Sequence, residues 1–409
     1  MRKLSFVLLI SLIVSLMGCG SIQSEDLLKD KEPAAVVGVH DLTEQSELLT
    51  DFGARVFKES FTEEKNTLIS PISILYALSM VANGAEGETL RQIEQSVGLP
   101  VNVLNNYLYS YENALPQGEK YKYHLANSIW FKNDDKLTVK DDFLQMNVDY
   151  YDSEIYKSAF DAETVKDINR WVKQNTNGMI PGIIDEIPES TILYLINALA
   201  FEAEWEVKYE KKQVREDEFH HLDGSEEVVD FMFSSEAIYL EDENTTGFMK
   251  YYKDQSYAFV ALLPKPGIRM EEYVASLDGV KIQTLLRDRI YTEVKTSIPV
   301  FEAEFGMELS ETLSNMGMEN MFDVANADLT GMGTYEGQNI YIGKVIHKTY
   351  ISVDEQGTKA AAITGADGNA AGVPEEPKKV YLERPFVYML IDCKTNIPFF
   401  IGTTMTINE

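Results

Sequence analysis

The stretch that decides the fold is VDEQGTKAAAITGADGNAAGVPEEP, Val353–Pro377. It lies between two segments that read as strands. Apart from Ile363 and the flanking valines it contains no large apolar residue. A segment this long, built from Ala, Gly, Thr and acids, cannot bury itself and reads as an exposed loop. Its position just ahead of the last strands is what needs explaining.

Upstream, NIYIGKVIHKTYISV (Asn339–Val353) carries strand character. Downstream, VYLERPFVYMLID (Val380–Asp392) and NIPFFIG (Asn396–Gly402) predict two closing strands. TILYLINALAF, Thr191–Phe201, is almost wholly apolar and predicts a central strand buried on both faces. YHLANSIWF (Tyr123–Phe131), IYKSAF (Ile155–Phe160), SYAFVALLP (Ser256–Pro264) and TEVKTSIPVFEAEF (Thr292–Phe305) also read as strands. Helices are predicted from Ile72 to about Asn83, opened by Ser70-Pro71 and stopped by Gly84, and from Glu88 to Val97, closed by Gly98. Others are expected after Leu42, near Lys140–Tyr150, over INRWVKQNT and over SETLSNMG. No internal repeat and no βαβ alternation is present. The pattern is α+β, with long, mostly antiparallel strands and one large domain over 43–409.

The chain has 409 residues, 44% hydrophobic and 25% charged, with a formal net charge of −30. Such an acidic surface argues against a nucleic-acid partner, because phosphate binding needs a basic face, and against a polyanion activator. The first residues, MRKLSFVLLISLIVSLMGCG, have a basic start, a short apolar run and Leu16-Met17-Gly18-Cys19. That is the form of an export signal, residues 1–18. Its ending resembles a bacterial lipoprotein box, which implies a lipid on Cys19 and anchoring at the cell surface or the outer face of a membrane. Residues 19–42 read as the lipidated N-terminus and a flexible tether. Cys19 and Cys393 are the only cysteines, so a lipidated Cys19 leaves no intramolecular disulfide. Cys393, in an apolar run, reads as a small core or strand residue.

Enzymatic motifs are absent. There is no GxSxG elbow, no HExxH, no P-loop and no GxGxxG after a strand. The histidines are His40, His124, His220, His221 and His347. The adjacent pair 220–221 would point to opposite faces of a strand and makes a poor metal site. The expectation is a protein that is not an enzyme and needs no metal or cofactor.

At this point the residues carry a family resemblance, spread over 43–409. NTLISPISILYALSMVANGAEGET (Asn66–Thr89), INRWVKQNTNGMI (Ile168–Ile180), INALAFEAEWEVKY (Ile196–Tyr209), MGMENMFDVANADLTGM (Met316–Met332), VIHKTYISVDEQGTKAAAIT (Val345–Thr364), ERPFVYMLID and PFFIG resemble, in this order, the blocks of a serpin. Glu383 departs from the Asp, Asn or Gln usual before Arg-Pro-Phe. The resemblance implies a single serpin-like domain: a large central sheet, further sheets, surrounding helices and a reactive loop at about 355–379. It implies a suicide-substrate inhibitor of serine proteases, in which the cleaved loop enters the central sheet as a new strand and traps the acylated protease.

The loop suits that role. Counting the family's hinge onto this chain places Glu355 and Gly357 at its start and Thr358, Ala360, Ala362 and Thr364 inward, all small and uncharged. Lys359, Ala361, Ile363 and Gly365 face outward, where a charge is harmless. About a dozen residues gaining ladder bonds at roughly 1 kcal/mol each would release on the order of 10 kcal/mol, comparable with a whole domain's stability.

Counting forward from Gly357 by the family spacing puts the cleaved bond at Ala371-Gly372; counting back from Pro385-Phe386 puts it nearer Pro374. Small residues suit elastase-like or subtilisin-like proteases, and the absence of Arg or Lys between Lys359 and Lys378 disfavours a trypsin-like target. Ser70, Ser73, Asn197 and His347 resemble the polar cluster where the sheet opens, and would equally serve as satisfied buried groups. Trp205 resembles the aromatic where insertion starts. The alternatives are a serpin-fold lipoprotein that binds or carries without inhibiting, and an unrelated surface lipoprotein with a passive loop. The chain is expected to be a monomer.

Overall fold

The computed structural model describes residues 22–116, 121–151, 153–357 and 376–408. Its architecture follows from two sheets sharing one core. The first sheet has six strands in the order Glu25–Asp26, Glu154–Ser158, Tyr121–Lys132, Leu193–Ala203, Lys344–Val353 and Phe301–Glu308. Three of its five pairings are antiparallel. Tyr121–Lys132 runs parallel to Glu154–Ser158, and Leu193–Ala203 runs parallel to Lys344–Val353. The second sheet has nine strands. Lys378–Tyr381 and Ile290–Pro299 form one margin, and Phe386–Asp392 and Pro398–Thr404 lie deep within it.

Leu193–Ala203 shows why an unbroken apolar run becomes a central strand. Leu195, Leu199, Phe201 and Ala203 enter the main core shared with the second sheet. Tyr194, Ile196 and Ala198 enter a smaller core with Trp130, Tyr156 and Trp171, beneath the Ala162–Asn175 helix. Successive side chains point to opposite faces, so both faces must be apolar. Only Glu202 in this strand is partly exposed.

The helix under the main sheet spans Pro71–Ala82, and all its residues are buried. The Ser70 hydroxyl caps it by accepting from the Ser73 N–H at 3.3 Å, and Pro71 occupies the first turn, where no N–H is needed. The next helix, Gly87–Val97, stops at Gly98 in the left-handed region.

Several features depart from the sequence expectations; VYLERPFVYMLID, for one, covers two strands, Lys378–Tyr381 and Phe386–Asp392, with different partners. TEVKTSIPVFEAEF is two strands in different sheets, Ile290–Pro299 and Phe301–Glu308. Pro299 lacks an N–H, and the chain crosses between sheets at Val300. The helices Val101–Ala114, Met270–Ala275 and Gly279–Arg287 were not anticipated.

The stretch read as a tether also makes contacts. Residues 22–41 lie against the body. Glu25–Asp26 adds a short edge strand to Glu154–Ser158. The backbone N–H groups of Gln23 and Ser24 and the Ser24 hydroxyl all donate to Asp167 Oδ2 at 2.8 Å. Asp167 is 2% exposed and its other oxygen accepts from Arg170 at 2.7 Å. A buried carboxylate with four donors is a strong anchor for a polar strand. Nothing in the strap's own composition reveals that anchor.

Candidate functional site: a parallel seam and the root of the loop

The parallel pair Leu193–Ala203 and Lys344–Val353 is joined side by side, with Lys344 opposite Tyr194 and Tyr350 opposite Ala200. Register places Asn127, Asn197 and His347 opposite one another on three neighbouring strands. The capped start of the Pro71–Ala82 helix packs beneath this row.

The Ser70 N–H donates to His347 Nε2 at 3.1 Å, so Nε2 is an acceptor and the ring proton sits on Nδ1. Nδ1 then donates to Asn197 Oδ1 across the seam. The Asn197 amide donates to the Ser73 carbonyl at 2.9 Å and to Asn127 Oδ1. Asn197 thus uses both of its amide hydrogens and its carbonyl. Ser70, Ser73, Asn197 and His347 are all fully buried. Burial drives the His347 pKa down to about 3, so the imidazole is neutral at any ordinary pH. Four of the residues singled out in the sequence, 277 positions apart at the extreme, therefore meet in one network. Asn127 completes it and was missed; its only signal was a polar residue in the run LANSIWF.

Trp205, Glu355 and Gly357 meet at one end of the same seam, eight residues beyond Asn197 or roughly 26 Å along the strand. After Val353 the chain reverses in a tight turn, with reciprocal backbone bonds of 3.2 Å between Asp354 and Gly357. Gly357 is bridged on one side to Asp354 and on the other to Glu204, antiparallel to both. Its φ is +104°, and a Cβ there would lie 2.2 Å from the Trp205 nitrogen, so only glycine fits. The turn's carbonyls are held from the 205–209 segment. Trp205 Nε1 donates to Asp354 O at 2.9 Å, the Trp205 N–H to Gln356 O at 3.3 Å and the Tyr209 N–H to Glu355 O at 3.1 Å.

Thr358, Ala360, Ala361, Ala362, Thr364, Ala371, Gly372 and Cys19 lie outside the described residues. The far root of the loop is the strand Lys378–Tyr381, parallel to Ile290–Pro299. His220 and His221 each sit beside a different glutamate, Glu226 at 3.4 Å and Glu227 at 3.3 Å. Cys393 is half-buried in the turn after Phe386–Asp392, not within the strand, and burial pushes its thiol up to about 12.

A sheet whose central parallel pair is bound by a side-chain bridge, with the next chain segment already turned back at its end, is the framework of a strand-accepting protein. The sequence model described as "Serpin (serine protease inhibitor)" matches residues 47–407, and the chain belongs to the serpin family. It is 28% identical to the uncharacterized serpin-like protein TK1782 of Thermococcus kodakarensis, covering 93% of this chain and 88% of that one. It is also 28% identical to the leukocyte elastase inhibitor of Bos taurus, covering 82% and 92%. Among solved structures, the native state of the thermophilic serpin Tengpin aligns with a TM-score of 0.89 at 44% identity, covering 94% of this chain and 100% of that one. The latent state of Tengpin aligns less well, with a TM-score of 0.80 over 91% and 100% at 42% identity.

Proposed function

We propose that the chain is an exported, membrane-tethered inhibitor of serine proteases that prefer small residues, acting as a suicide substrate cleaved near Ala371-Gly372. The observation that carries this reading is the double pairing of Gly357. Continued from the Glu204–Gly357 bridge, an antiparallel register sets Thr358, Ala360, Ala362 and Thr364 opposite Ala203, Phe201, Leu199 and Asn197. Those partners face the main core, where only small uncharged residues fit. Lys359 falls opposite partly exposed Glu202, on the tolerant face.

The Asp354–Gly357 bridge supplies a second register, and it agrees with the first. Continued from it, Thr364 falls opposite His347, which already pairs with Asn197. The seam can therefore open sideways by one strand spacing, about 4.8 Å, without axial slip. Insertion breaks the His347–Asn197 bridge and offers both groups the Thr364 hydroxyl in its place. Ala371 ends level with residue 190, past the far end of the Leu193–Ala203 strand. The acyl-linked protease is thus carried about 46 Å from Gly357, at 3.3 Å for each of fourteen residues. The likeness to a relative named as an elastase inhibitor supports the small-residue preference. The Leu16–Cys19 motif supports the lipid anchor; no helix among the described residues is long and apolar enough to cross a membrane.

The test is to mix the purified chain with elastase-like, subtilisin-like and trypsin-like proteases, look for SDS-stable adducts, and sequence the released C-terminal peptide. Adducts with the first two, and a peptide starting within three residues of Gly372, are expected. Thr358→Arg should abolish the adducts and leave cleavage. Cleavage without adducts in the unaltered chain would instead indicate a binding or carrier protein.

A further inference from the structure

Beneath the loop root lies a buried cation that neither the fold nor the family description explains. Lys250, on the strand Thr245–Tyr251, is 2% exposed. Its ammonium contacts Glu236 at 2.7 Å. It lies 4.5 Å from the Tyr209 ring centroid and 5.4 Å from that of Trp205. The Trp205 ring is stacked on Tyr252 at 4.4 Å. Burial pulls the Lys250 ammonium toward deprotonation, but Tyr209 and Glu236 outweigh it and hold its pKa above the ordinary value. The cage therefore contains a charge.

The two caged rings belong to the segment that grips the loop root. Trp205 and Tyr209 supply three N–H groups that donate to three consecutive carbonyls, those of Asp354, Glu355 and Gln356. A partly desolvated cation fixes ring position in a way that an apolar side chain of equal volume does not. Gly357 is already paired on both sides, so the first residue of an inserted strand is in place, and the pose of that turn sets how readily the second follows.

We infer that Lys250 is a positioning residue for loop insertion: its cage keeps Trp205 and Tyr209 in the pose that presents the Asp354–Gly357 turn to the seam. This rests on the inhibitory reading above. Loss of the charge slows insertion after cleavage, and more molecules are spent as plain substrate. The bait is cut at the same rate.

The experiment uses the full chain and its Lys250→Met and Lys250→Arg variants. The loop is nicked with a metalloprotease, which forms no acyl bond, and the appearance of the heat-stable form is followed by circular dichroism. The moles of chain consumed per serine protease trapped are measured in parallel. In Lys250→Met, conversion should slow by about tenfold, the scale of one lost cation–π contact, with consumption raised severalfold and the cleavage rate unchanged. Lys250→Arg, which keeps the cation, should recover most of both. Equal conversion and equal consumption in Lys250→Met, or a lowered melting temperature alone, overturns the role. If Lys250→Met does not fold, Tyr209→Leu removes one wall of the cage and carries the same expectation. A nicked unaltered chain that gains no stability overturns the inhibitory reading itself.

Discussion

His347 is the residue whose chemistry is most sharply set by its surroundings. In the folded chain its pKa is near 3, against an ordinary 6.5, because burial opposes the charge. The unfolded chain therefore takes up a proton as pH falls below 6.5 while the native chain does not until about 3. The native state loses about 1.4 kcal/mol per pH unit across that window, or about 2 kcal/mol by pH 5, and loses nothing above it. Urea midpoints at pH 7.5 and pH 5 should differ less in His347→Gln than in the unaltered chain. Equal differences would mean that another group controls the slope. Gly357 is the second residue where one atom matters. Gly357→Ala strains a positive φ and drives a Cβ into the Trp205 backbone, costing about 2 kcal/mol and weakening the Glu204 bridge. A lower melting temperature, with cleavage favoured over trapping, is expected.

Elements show what a linear reading can and cannot recover. Leu193–Ala203 was legible because a strand buried on both faces needs an unbroken apolar run. The Pro71–Ala82 helix was legible because Ser-Pro marks a start. Pro299 hid a change of sheet within what reads as one strand. The strap at 22–41 was illegible because its anchor, Asp167, lies more than 140 positions away. The site divides in the same way. Residue types alone do not connect Ser70, Asn197 and His347; the family resemblance did. Lys250 had no signal, since its cage is assembled from residues 205, 209 and 236. Asp167→Asn tests the strap. It removes the charge that three strap donors share, at a cost of about 2 kcal/mol. Amide protection of residues 23–27 should fall in hydrogen exchange while Leu193–Ala203 stays protected.

At the scale of the whole molecule, Gly357 is paired on both sides, and the proposed insertion would complete the strand that this pairing begins. If completion releases on the order of 10 kcal/mol, nicking the loop should raise the melting temperature by tens of degrees. A nicked chain that melts with the intact one would show that the seam is sealed.

The docked strap has a bearing on how the molecule stands. Ser24 touches Ser158 at the foot of the first sheet, level with Ile192, while Gly357 sits at its crown, about 40 Å higher. Given a lipid on Cys19, the loop root at Gly357 would be held on the side away from the bilayer. On the proposed mechanism the completed strand would end at the foot, and the captured protease would be swung toward the lipid surface. Gly20 and Ser21 alone allow it little headroom; unpeeling residues 22–41 from Asp167 would lengthen the leash to about 70 Å. Docking of the strap and capture of the protease would then compete for the same space beneath the molecule.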